Sequence, residues 1–189
     1  MERIDAVEIV AIDFEASCLP RDGRSYPIEV GISDGHESWS WLIRPHPCWS
    51  GWDWTAEAQA VHGISLDTLW GMGQPADVVM RELIARIDGR RLVADSGLDQ
   101  YWLDALAMAA DESAVPRIGH VMMLLDEWAV SGDQVKLARA HADREQTSLH
   151  RAADDARWLA LVLGHLAIAT GRDAPLAPRF AGDGYAHAA

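Results

Sequence analysis

Four acidic residues and one histidine, spread over most of this chain, are the types that hold divalent cations and move a proton. Ala11-Ile12-Asp13-Phe14-Glu15 stands near the N-terminus, Asp99 lies in the middle, and His150-Arg151-Ala152-Ala153-Asp154-Asp155-Ala156 comes near the end. Carboxylate oxygens are ligands for hard cations such as Mg²⁺ and Mn²⁺. Two such cations and a nearby base are the groups that phosphodiester hydrolysis requires. Little else in the sequence suggests chemistry.

Spacing sharpens some of these assignments and leaves others open. Side chains alternate faces along a strand, so Asp13 and Glu15 point the same way and Phe14 the other, into the core. Two carboxylates held together repel each other unless a cation lies between them. Asp155 stands five positions after His150, a spacing that an ideal helix does not place on one face. A histidine in the loop before the helix, or at its first turn, removes the conflict. Asp154, four positions on, is the rival by helical spacing, and acids also gather at helix starts for the dipole alone. Asp95 is as acidic as Asp99 and directly follows the strand-like Leu92-Val93-Ala94, so the residues by themselves leave either as a candidate.

The elements that must position these groups follow from periodicity and punctuation. Val7 to Phe14 reads as a central strand, and Ile28 to Ser33 and Glu37 to Ile43 as a hairpin around Asp34-Gly35. Thr55 is placed to cap a short helix through Val61. Pro75 to Ile87 repeats apolar residues at helical spacing, with Pro75 suited to the first turn. Leu92 to Ala94 is a short strand, Leu98 to Ala110 a helix, and Val115 to Ile118 an edge strand. Val121 to Ala129 and Val135 to Ala142 read as helices interrupted at Gly132, and Ala152 to Ala169 as the longest helix. This order describes one α/β domain, residues 1–171, with a mixed sheet. The tail, residues 172–189, is rich in Ala, Gly and Pro and reads as a flexible extension.

Bulk properties bound the function. The 189 residues are enough for one domain with a sizeable core. Two cysteines, Cys18 and Cys48, make neither a disulfide framework nor a zinc spacing. No signal peptide is read at Met1 to Asp5, and the longest apolar helical stretch is too short to span a bilayer, so a cytoplasmic protein is expected. The formal net charge of −13 opposes a long duplex-binding groove, where affinity comes from Lys and Arg at phosphates. It leaves room for a pocket in which cations neutralise phosphate locally. Most of the nine tryptophans read as core or loop anchors.

Taken in order, these motifs resemble the DEDD exonuclease superfamily, in its histidine-bearing (DEDDh) branch. That branch includes the proofreading subunit of bacterial DNA polymerase III, ribonuclease T and oligoribonuclease. The resemblance covers roughly residues 7–170. Asp13 and Glu15 match its first motif, Asp99 its second, and His150 with Asp155 its third. It selects Asp155 over Asp154 and Asp99 over Asp95. Where the family usually has asparagine four positions before the second aspartate, this chain has Asp95.

The resemblance implies a ribonuclease H-like fold, a five-stranded mixed sheet whose first three strands are antiparallel, flanked by helices. It implies two Mg²⁺ or Mn²⁺ ions, with Asp13 bridging both, Glu15 and Asp155 completing the one that activates water, and Asp99 holding the other. His150 would be the base, since imidazoles titrate near neutrality. The substrate would be the 3′ end of single-stranded DNA or RNA, shortened by one nucleoside 5′-monophosphate at a time. Val61-His62-Gly63-Ile64 matches a segment that meets the terminal nucleotide, which makes His62 and Ile64 implied substrate contacts, and the resemblance adds Phe14 and Ala16 beside the first motif. Several members form dimers, so a homodimer is compatible with the resemblance. Three rival readings remain at this level: an oligoribonuclease-like enzyme for very short RNAs, a binding module of a replication or repair complex, and a structural metal protein. His150, which metal ligation alone does not need, argues against the last.

Overall fold

The computed structural model describes residues 9–147 and 150–172. Five strands form one sheet: β1 (Ile9–Ala16), β2 (Pro27–Ser33), β3 (Ser38–Leu42), β4 (Arg91–Ala94) and β5 (Ile118–His120), in the order β3-β2-β1-β4-β5. β1, β2 and β3 are antiparallel neighbours, whereas β4 runs parallel to β1 and β5 parallel to β4. This is the mixed sheet of a ribonuclease H-like fold. The expected strand start at Val7 and the tail from residue 173 lie outside the described residues.

Strand periodicity divides the core in two. Val10, Ile12, Phe14 and Ala16 of β1 pack with Val30, Ile32 and the helices α3 (Ala76–Ile87) and α4 (Asp99–Ala110). Ile9 and Ala11 face the other way, toward α5 (Val121–Glu127), α6 (Gly132–Glu145) and α7 (Ala152–Ala169). Asp13 and Glu15 continue that odd-numbered series, so the pleat points both carboxylates at the α7 side of the sheet.

α7 docks close because β2 offers no side chain beneath its start. A Cβ at Gly31 would overlap the backbone of Ala152 and Ala153. Gly31 is the register partner of Asp13. The point where α7 lands is therefore one strand away from the first carboxylate, which brings Asp155 to it.

Several elements differ from the sequence expectation. Gly132 does not separate two helices but opens α6, because Ser131 caps the helix and forms a reciprocal capping box with Gln134. The edge strand begins at Ile118 rather than Val115, since pairing starts where Ile118 meets Leu92. A further helix, α2 (Leu66–Met72), follows α1 (Ala56–His62). It is capped by Ser65 and buries only Leu69 among its residues, so it carries almost no amphipathic signal. The Thr55 cap of α1 is present, its hydroxyl accepting from the Ala58 N–H at 3.2 Å. No helix among the described residues is long and apolar enough to cross a membrane.

Candidate metal centre and flanking cavities

Carboxylates from three separate parts of the chain converge at the C-terminal end of β1. Asp13, Glu15 and Asp155 each place an oxygen within 4.8 Å of the others, and so do Asp13, Asp95 and Asp99. Asp13 belongs to both groups. Asp154, the rival by helical spacing, is in neither. Asp95 and Asp99, weighed as alternatives from sequence, both stand beside Asp13.

So many anions in one place depress their own ionisation. Two unit charges about 5 Å apart repel by roughly 3 kcal/mol at an effective dielectric of about 20. Burial pushes Asp13 well above the usual carboxylate range, and Asp99, Asp155, Glu15 and Asp95 add to it. Burial, then Asp155 and Glu29, raises Glu15 to about 7, with Arg151 opposing. Burial followed by Asp95 raises Asp99 to about 7. Asp155 is raised mainly by burial.

The donor set fits a divalent cation. Asp99 is 1% exposed, and neither of its carboxylate oxygens has a hydrogen-bond partner. The nearby backbone N–H groups of Phe14, Asp99 and Ser96 pull its ionisation the other way without meeting hydrogen-bond geometry. Buried carboxylates left unpaired are costly and rare. An all-oxygen, multiply anionic cluster is what Mg²⁺ or Mn²⁺ accepts.

His150 lies before α7, outside the helix, which resolves its awkward spacing to Asp155. Its backbone takes φ 68°, and its N–H donates to Asp155 Oδ2 at 3.0 Å. The imidazole is exposed. The same loop carries a contact that the motif reading passed over. Arg151 donates to Glu29 from Nε at 2.9 Å and Nη2 at 2.6 Å, and the Ala152 N–H adds a third bond at 3.2 Å. Glu29 is 1% exposed and sits opposite Glu15 across the β1–β2 pair. A lone glutamate inside the apolar run Pro27 to Ile32 was the available signal, since such an acid needs a cation or several N–H donors.

Two cavities flank the carboxylates. One, of about 410 Å³, is lined by Phe14, Glu15, Ala16, Thr55, His62 and Trp102 among others. Phe14 thus serves both the core and this wall. His62 is buried, and its Nδ1 accepts from the Ile64 N–H at 3.0 Å, leaving Nε2 as the protonated nitrogen without a partner. Burial lowers the His62 pKa, favouring this neutral form. Ile64, expected from the resemblance to contact the terminal nucleotide, is a core residue 4% exposed and absent from the cavity lining. Its contribution there is the backbone N–H that orients His62. The other cavity, about 350 Å³, joins Asp13, Asp95 and Asp155 to Arg139, Asp143 and Trp158. The Arg139 guanidinium lies 5.2 Å over the Trp158 ring, and the Trp158 Nε1–H donates to Asp143 Oδ1 at 2.8 Å.

This arrangement of sheet and helices is shared with several 3′-exonucleases and ribonucleases of known structure. The chain is similar to a full-length 3′-exonuclease, with a TM-score of 0.62 and 16% identity over 86% of this chain and 60% of that one. It is similar to Escherichia coli exonuclease I in complex with a dA16 oligonucleotide, with a TM-score of 0.61 and 11% identity over 86% of this chain and 41% of that one. It is also similar to the Mg²⁺- and Mn²⁺-bound form of S. pombe Pop2p, with a TM-score of 0.57 and 12% identity over 84% of this chain and 82% of that one. No family model and no curated protein matches the sequence.

Proposed function

We propose that this protein is a metal-dependent 3′–5′ exonuclease that releases nucleoside 5′-monophosphates from the end of a single strand. The observation that carries the reading is Asp13, shared by two carboxylate groups on a fold common to 3′-exonucleases. Asp13, Glu15 and Asp155 are the residues that would hold one cation, and Asp13 with Asp99 the second. Bound there, Mg²⁺ or Mn²⁺ supplies charge neutralisation at the phosphate and a water of lowered pKa.

The protein's own groups do the rest. His150 accepts the proton of the attacking water at an imidazole nitrogen, and Asp155 fixes the backbone from which that side chain leaves. Glu29 and Arg151 hold the start of α7 so that Asp155 stays against β1. The terminal nucleotide enters the cavity beside Glu15, where Phe14, Ala16 and Trp102 offer apolar wall and His62 completes the lining. The strand continues past Asp13 toward Arg139 and Trp158.

A preference for very short strands, in the manner of an oligoribonuclease, has its own support. Each cavity has a single Lys or Arg in its lining, Arg21 in one and Arg139 in the other. With a net charge of −13, the chain has little to grip a long phosphate backbone. Product analysis on 3′-labelled and 5′-labelled RNA and DNA of graded length, with and without Mg²⁺, tests polarity, sugar and length together.

A further inference from the structure

We infer that Asp95 is a direct ligand of the second cation, and that this protein loads both cations before nucleic acid arrives. The inference rests on the cation reading proposed above and adds a ligand to it. β1 and β4 are parallel neighbours with Ala11 opposite Val93. Two residues on, Asp13 within β1 and Asp95 just past the end of β4 bring carboxylate oxygens within 4.8 Å of each other. The chain then turns and enters α4 at Asp99, whose carboxylate comes back toward the same place.

Three carboxylates therefore converge there without relying on substrate. They differ in kind. Asp99 is buried with both oxygens unpartnered, so no protein donor competes with a cation for them. Asp13 is half-buried and shared with the neighbouring group. Asp95 is exposed and makes no hydrogen bond or ion pair among the described residues, so it closes the site on the solvent side while leaving an approach for the ion. A second cation held only by Asp13 and Asp99 would share the Asp13 charge with the first and take the rest of its coordination from water or phosphate oxygens. With Asp95 the protein supplies a formal charge of −3 at that position unaided, which favours occupancy in the substrate-free protein.

The test is a calorimetric titration of the whole chain with Mn²⁺ alone, without nucleic acid. The parent is expected to bind two ions. Asp95→Asn keeps the side-chain shape, lies on the surface, and is checked for folding by circular dichroism. It is expected to weaken one ion by about tenfold or more and the other less, through the shared Asp13. Glu15→Gln is expected to do the converse. One bound ion in the parent, or two unchanged ions in Asp95→Asn, overturns the inference. If Glu15→Gln still weakens an ion in that case, the cation reading stands without Asp95. If neither variant changes Mn²⁺ binding, the cation reading itself falls, and the inference with it.

Discussion

Gly31 lies directly beneath Ala152, so close that a β-carbon on the glycine would occupy the space of the helix backbone. That contact sets the height of α7 above the sheet, and with it the distance from Asp155 to Asp13, the register partner of Gly31. Gly31→Ala is expected to lift or tilt the helix start. Overpacking of this kind costs about 1–3 kcal/mol. Urea unfolding is expected to show that loss, and Mn²⁺ affinity is expected to fall as well, because Asp155 moves with the helix. Unchanged Mn²⁺ affinity in a folded Gly31→Ala protein would break the proposed link between helix docking and the metal centre.

Arg151→Ala leaves the Glu29 carboxylate buried without its guanidinium. The Arg151 side chain is 47% exposed and that of Glu29 1%. The partial exposure places the loss near the low end for breaking a buried pair, about 3 kcal/mol. Adding Glu29→Gln to Arg151→Ala is expected to return part of that stability, since the second change removes the stranded charge. A double variant less stable than Arg151→Ala would contradict this account.

Metal-free stability is expected to fall as pH rises from about 4.5 to about 7. Glu15 and Asp99 are both raised to about 7. Between their unfolded and folded values the native state holds more protons than the unfolded chain, so stability decreases with pH. Thermal melts in chelator are expected to show this decline. It should be smaller in Asp99→Asn, and Mn²⁺ should offset it most strongly above pH 7, where the ligands are ionised. A metal-free Tm that rises across this range, with no difference in Asp99→Asn, would contradict the strained cluster.

His150→Ala is expected to lower turnover by roughly 10²–10⁴-fold, the usual contribution of a positioned base. Mn²⁺ binding is expected to stay near the parental value. The contact to Asp155 comes from the backbone N–H, which the substitution keeps. Loss of Mn²⁺ binding together with activity would reassign His150 as a ligand.

The parts of the site legible in sequence were those that a local period encodes. Asp13 and Glu15 share a face because strands alternate, and α7 is legible as one long helix from its periodicity. The partnerships were not legible, because they join distant residues. Glu29 meets Arg151 only after β2 and α7 pack together. Asp95 and Asp99 looked like alternatives along the chain, yet the parallel β1–β4 pairing puts both beside Asp13. Ile64 was expected at the substrate end because its local sequence does not report that α1 and its cap turn it inward. Likewise α2 hides because one buried leucine makes no stripe.

The most direct test of the central claim is the labelled-strand experiment run on the parent and on Asp13→Asn with Mg²⁺. A 5′-labelled strand is expected to shorten by single nucleotides while a 3′-labelled strand releases labelled nucleoside 5′-monophosphate at once, and Asp13→Asn is expected to abolish both. Internal cleavage, release from the 5′ end, or parental turnover by Asp13→Asn would contradict it.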